Sequence, residues 1–131
     1  MTEEKTLLDF VKEAKSQISE VEVNEVISHL DDGYEVLDVR EPAEYHSGTI
    51  DGALNIPRGV LEALCDRQYP ARRDELMDRD RKWLLLCATS GRSAMATAVM
   101  QQMGFNNVKN INGGMAAWKT AEMQTVIPPE H

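Results

Sequence analysis

Cysteine and histidine are scarce in this chain, at two and three residues. His29, His46 and His131 share no ligand-like spacing with one another or with Cys65 and Cys87, so no metal site is expected. Long hydrophobic runs are missing as well. The longest, Trp83-Leu84-Leu85-Leu86-Cys87-Ala88, falls far short of the roughly 20 residues that a bilayer span needs, and no membrane partner is expected. Positive charge is in deficit: 14 Lys and Arg stand against 22 Asp and Glu, a net charge of −8. An acidic chain repels phosphate backbones, so nucleic acid is not an expected partner. The stretch Asp66 to Lys82 interleaves six basic with five acidic side chains and reads as a solvated surface segment. The start, Met1-Thr2-Glu3-Glu4-Lys5, has neither a basic region nor an apolar core, and no secretory signal is expected. A cytoplasmic, reducing location follows as the expectation, and there cysteines tend to be chemical rather than structural.

What remains is an ordinary globular composition in 131 residues, 42% hydrophobic and 27% charged, enough for one domain with a proper core. Leu7, Val11, Ala14 and Ile18 recur at helical spacing and predict a helix over Glu3 to Ser16 with one apolar stripe. That stripe packs either on the body of the same domain or on a second copy. Val21 to Val23 suits a short strand, and Asn24 a cap for a helix through Leu30. Glu35 to Val39 reads as a buried strand, and Pro42 to His46 as a helical turn with proline at its first position. Ala53 to Ile56 is a short strand, Arg58 to Leu64 a short helix, and Lys82 to Leu86 the strongest strand. Arg92 to Met103 reads as a well-buried helix. Val108 to Ile111 is a last strand, and Met115 to Thr120 the start of a last helix. Strands alternating with helices predict an α/β fold with a parallel sheet covered on both faces. The division expected is an N-terminal helical extension over 1–18, the domain over 19–125, and a loose tail over 126–131.

The segment Leu84-Leu85-Leu86-Cys87-Ala88-Thr89-Ser90-Gly91-Arg92-Ser93 is a strand, a short loop and a helix start. Parallel sheets carry ligand chemistry beyond the carboxyl ends of their strands, where Cys87 sits. A short loop of small residues, with Gly91 free to take unusual backbone angles, can aim successive N–H groups at one point. The helix that follows adds its positive end, and Arg92 adds a full charge. A thiol becomes a strong nucleophile in such surroundings. No histidine close in sequence offers a general base, so activation here is electrostatic. The bland alternative is a buried small hydrophobe at a strand end.

Four segments together decide between these readings. Leu37-Asp38-Val39-Arg40-Glu41-Pro42-Ala43-Glu44-Tyr45, Gly48-Thr49-Ile50-Asp51-Gly52-Ala53-Leu54-Asn55-Ile56-Pro57, Cys87 to Arg92, and Gly104-Phe105 through Gly113-Gly114-Met115-Ala116-Ala117-Trp118 resemble, in order, the signatures of the rhodanese family. The resemblance runs from about Ser19 to Thr120. It implies a three-layer sandwich with a five-stranded parallel sheet and helices on both faces. It also implies a sulfurtransferase that takes a sulfane sulfur from a donor such as thiosulfate or a persulfide onto Cys87 and passes it to a thiol, cyanide or protein acceptor. Cys87, Ala88, Thr89, Ser90, Gly91 and Arg92 would cradle the persulfide with backbone N–H groups, and Ser93 would support them. Asp38 would hold the loop by hydrogen bonds, with Arg40 beside it. No cofactor is implied, because the cysteine itself carries the group.

This sequence departs from the family pattern twice. Thr49 stands where histidine is usual, and the loop glycine comes one residue late, with Ser90 in its customary place. A phosphatase of related fold has one more residue between cysteine and arginine, because phosphate needs a wider cradle. A binding module without catalysis and a carrier serving a dedicated protein are the other readings. Cys65 is either a resolving thiol or a packing residue. Trp118 and the methionines Met95, Met100, Met103 and Met115 read as core. A homodimer through the N-terminal helix stays open.

Overall fold

The computed structural model describes residues 3–129. The apolar pattern fixes the layers before any connection is considered. Along the central strands β2 (Glu35–Asp38) and β4 (Trp83–Leu86), side chains alternate between the two faces of the sheet. Leu37, Trp83 and Leu85 enter one buried cluster; Val36, Leu84 and Leu86 enter the other. Because both faces are buried, β4 reads as a continuous apolar run rather than an alternating one. Each fully buried leucine contributes about 2 kcal/mol of burial free energy.

The sheet has five parallel strands in the order β1-β5-β4-β2-β3, with β1 at Glu20–Val21, β3 at Leu54–Asn55 and β5 at Val108–Ile111. The first cluster is completed by α4 (Leu61–Cys65) and α5 (Gly91–Gln102). The second is completed by α2 (Val26–Asp31) and α6 (Gly114–Thr120). Helix α3 (Pro42–His46) opens with Pro42 in its first turn, as expected. This is the three-layer α/β sandwich that the resemblance implies.

Several local expectations shift. Helix α1 runs Leu7–Lys15, shorter than Glu3 to Ser16. Its start is set by a reciprocal box: Asp9 N–H donates to Thr6 Oγ1 at 3.2 Å and Thr6 N–H to the Asp9 carboxylate at 2.8 Å, a stop signal for anything upstream. Asn24 is no cap. It lies inside a 3₁₀ turn, Val23–Glu25, whose entry is tied by Glu22 N–H donating to Glu25 Oε1 at 2.8 Å. The tail is anchored at its beginning, where Val126 and Thr49 exchange N–H···O bonds of 2.9 Å and Pro128 is buried; residues 130 and 131 lie outside the described part. Arg79, expected in a solvated segment, donates to the carbonyls of Met103, Leu76 and Cys65 and stacks on Phe105.

Helix α1 packs on α5 through Ala14 against Ala94 and Ala98, flanked by Ile18 and Met95. Its amino-terminal half is less covered, and Leu7 remains 71% exposed. Among the described residues no helix is long and apolar enough to cross a membrane.

Candidate active site around Cys87

Cys87 lies at the carboxyl end of β4, and its neighbour strand β2 ends alongside at Asp38. Its side chain is buried at 1% exposure. Two donors meet the sulfur: Ser90 N–H at 3.1 Å and the Ser93 hydroxyl at 3.2 Å. The Ser93 oxygen is also 3.3 Å from the Ser90 carbonyl. It has one proton to give, so sulfur and carbonyl compete for it. An ionised sulfur is the stronger acceptor and draws that proton to itself.

The loop can aim N–H groups inward because its carbonyls are engaged elsewhere. Met115 N–H donates to Cys87 O at 2.8 Å and Ala116 N–H to Ala88 O at 2.9 Å. The first turn of α6 thus clasps the loop from behind. A side chain at Gly114 would sit 2.5 Å from Cys87 O and 2.9 Å from Ala88 O, so only glycine allows this approach. The Ser90 carbonyl accepts from Ala94 N–H at 2.9 Å, with the Asn110 amide at 3.5 Å. Neither Gly114 nor Asn110 drew notice as a site residue in the sequence, although the Gly113-Gly114 pair is the signal for a close backbone approach.

The unusual backbone angle falls on Ser90, at φ +95°, and not on Gly91, which is the first residue of α5. A left-handed non-glycine residue costs about 1–2 kcal/mol. It is held here because its N–H and C=O are both used. At Gly91 a Cβ would meet Val11 Cγ2 at 3.4 Å, an ordinary van der Waals contact. Thr89 and Gly91 line a groove of about 570 Å³ shared with α1.

Arg92 does not reach the sulfur. Its guanidinium grips Glu44 with two bonds, 2.7 and 3.0 Å. The Arg92 hydrogen bonds, helped by Glu41 N–H, lower the Glu44 carboxyl to about 2 against the cost of burial. Glu44 lies inside the first signature yet carried no expected role, because its partner is 48 residues away in sequence.

Asp38 and Arg40 are likewise used on each other. Arg40 Nε and Nη2 donate to the buried Asp38 carboxylate at 3.0 and 2.8 Å, Thr49 Oγ1 donates to it at 2.9 Å, and Arg40 Nη2 also reaches Gly48 O at 2.8 Å. The expectation that Asp38 bonds the Cys87 loop is therefore corrected. Its donors are Arg40 and the Thr49 hydroxyl, and Arg40 ties the pair to the Gly48 carbonyl, so the group braces the Gly48–Thr49 turn rather than the loop. Thr49, at the position where the family pattern has histidine, donates to Asp38.

Cys65 lies in the same buried cluster as Cys87, but no hydrogen bond or disulfide joins the two thiols. Burial pushes the Cys65 thiol up to about 11, against the pull of Arg79. Trp118 is buried and donates its Nε1–H to Gln124 O at 2.9 Å. The four methionines are divided among three separate clusters and form no common lining.

Comparisons with known proteins agree with this fold. The rhodanese-like domain family matches residues 22–121. A sulfurtransferase of Allochromatium vinosum is 31% identical over 113 residues, covering 85% of this chain and 97% of the relative. A Rhodopseudomonas palustris structure, described as a protein of unknown function and possible tyrosine phosphatase, superposes with a TM-score of 0.87. It is 30% identical, with 96% of this chain and 98% of that one covered. A human single-domain sulfurtransferase gives a TM-score of 0.65 at 27% identity, covering 77% of this chain and 95% of that one.

Proposed function

Since the chain belongs to the rhodanese-like domain family, we propose that it is a sulfurtransferase that carries sulfur on Cys87 as a persulfide. The carrying observation is the convergence of the Ser90 N–H and the Ser93 hydroxyl on Cys87 Sγ, at a strand end whose loop carbonyls are held by α6.

The Cys87 thiolate attacks the outer sulfur of thiosulfate. The new S–S bond forms as the S–S bond of the donor breaks, and sulfite leaves with the bonding pair. The persulfide now bears the negative charge one atom further out, where loop N–H groups and the positive end of α5 favour it. A nucleophilic acceptor such as cyanide or a thiolate then attacks the outer sulfur and regenerates the Cys87 thiolate. Among the described residues no histidine contacts Cys87, so donors and helix field take the place of a general base. Ala88, Thr89, Gly91 and Arg92 complete the cradle in this reading, Asp38 and Arg40 fix the neighbouring Gly48–Thr49 turn, and the acceptor is a small nucleophile or a protein thiol.

Phosphate ester hydrolysis fits the site less well. Four residues separate Cys87 from Arg92, and the guanidinium that would hold phosphate oxygens is engaged by Glu44.

The test is thiocyanate formation from thiosulfate and cyanide by the intact chain beside Cys87→Ser and Cys65→Ser. Activity lost in the first and kept in the second is the expected result. Hydrolysis of an aryl phosphate without thiocyanate formation would overturn the reading.

A further inference from the structure

Helix α1 lies outside the segment that matches the family, residues 22–121, yet it forms a wall beside the Cys87 loop. Leu7, Leu8 and Val11 face Thr89, Ser90 and Gly91 across the groove of about 570 Å³. That volume lies in the range of roughly 300–1,000 Å³ typical of small-molecule sites. Leu7 and Leu8 stay 71% and 58% exposed, although α1 has a body to pack on. Apolar side chains left uncovered beside a nucleophile call for an apolar occupant.

Charge narrows its chemistry. The chain carries −8 overall, yet among the described residues no carboxylate lines this groove, and Lys15 is its one charged side chain. Lys15 Nζ is itself engaged by Asn112 Oδ1 at 3.1 Å and Glu20 Oε2 at 3.4 Å. The groove is therefore a near-neutral, apolar window on an acidic surface, open to a neutral or singly anionic molecule. Thiosulfate and cyanide have no apolar body to place there.

We propose that the groove between α1 and the Cys87 loop is a subsite for the organic body of a low-molecular-weight apolar thiol and of its persulfide. This rests on the sulfurtransferase reading and specifies the partner class of that same site. In the forward step the Cys87 thiolate attacks the outer sulfur of R–S–SH, the S–S bond of the donor breaks, and RS⁻ leaves with the bonding pair as Cys87–S–SH forms. In reverse, RS⁻ attacks the outer sulfur of Cys87–S–SH and the thiolate is regenerated. The body R occupies one groove in both directions, so apolar thiols are favoured both as leaving groups and as acceptors.

The test uses the full chain with Cys87 loaded from thiosulfate and discharged by cyanide, mercaptoethanol or benzyl mercaptan. The ratio of the benzyl mercaptan to the mercaptoethanol rate constant is compared between wild type and Leu7→Ser/Leu8→Ser, which cancels intrinsic thiol reactivity. That ratio is expected to fall about tenfold in the variant and to hold in Ile27→Ser, an exposed apolar site elsewhere. Benzyl alcohol titrated into Cys87→Ser should shift the methyl resonances of Leu7, Leu8 and Val11. An unchanged ratio without methyl shifts overturns the proposal. So does a chain that sediments as a dimer in wild type and as a monomer in Leu7→Ser/Leu8→Ser, because a second copy then covers the groove. Failure of every acceptor, cyanide included, removes the sulfurtransferase reading, while the benzyl alcohol titration still decides whether the groove takes an apolar ring.

Discussion

The two cysteines sit in one buried cluster, both essentially closed to solvent, and their surroundings are opposite. Around Cys65 the sulfur lies in the apolar cluster; burial is the largest influence and pushes the thiol up to about 11 against the pull of Arg79. Around Cys87 an N–H and a hydroxyl point at the sulfur, the start of α5 lies beside it, and the nearby carbonyls are turned to α6. Burial by itself therefore says nothing about reactivity. The orientation of the peptide planes within a few ångströms of the sulfur does.

This contrast can be broken in graded steps. The largest effect is expected from Cys87→Ser, which should abolish thiocyanate formation while leaving thermal stability nearly unchanged. Gly114→Ala should come next. It drives a methyl group into the Cys87 and Ala88 carbonyls and forces a left-handed alanine at φ +58°. A loss of about 2–4 kcal/mol in urea unfolding is expected, with sulfur transfer falling along with the clasp.

Ser93→Ala removes the hydroxyl that would meet a thiolate or persulfide anion on Cys87 and nothing from Cys65. Such a bond contributes roughly 1.5–3 kcal/mol, so persulfide formation should slow about tenfold or more in stopped-flow traces, with little change in melting temperature. Cys65→Ser is the reverse case: a hydroxyl buried among apolar groups should cost about 1–3 kcal/mol of stability and leave transfer intact.

The smallest and most local effect concerns Glu44. Its folded-state pKa is lowered from 4.5 to about 2, so its contribution to stability is fully present above the ordinary carboxylate range and disappears as pH falls towards 2. The pair is more than a third exposed, and solvent screening keeps the effect modest. Unfolding midpoints of wild type and Glu44→Gln should differ slightly at neutral pH and converge near pH 2.

Much of this was legible in the residues. The β4 run, the small-residue loop and the start of α5 are contiguous, so hydrophobic pattern and turn chemistry suffice to place Cys87 at a strand end before a helix. What escaped notice needs three dimensions. Glu44 and Arg92 meet only because α3 and α5 are brought together, and Gly114 matters only because α6 docks against a loop it does not adjoin in sequence. The strained angle was expected at the glycine, yet it falls on Ser90. There the N–H bond to Cys87 and the carbonyl bond to Ala94 outweigh the intrinsic preference of serine. The family resemblance implies that Asp38 bonds the Cys87 loop, yet its carboxylate is taken by Arg40 and Thr49; a family pattern says which residues lie near the site, not which donors face which acceptor.

The clasp made by α6 carries a consequence in time. Residues 114–116 follow residues 87–92 along the chain, so the Cys87 loop is made before the donors that hold its carbonyls can dock. The cradle is finished only when the carboxyl-terminal quarter of the polypeptide has been made and docked. In the proposed reading, the persulfide cradle at Cys87 is complete only once α6 has docked.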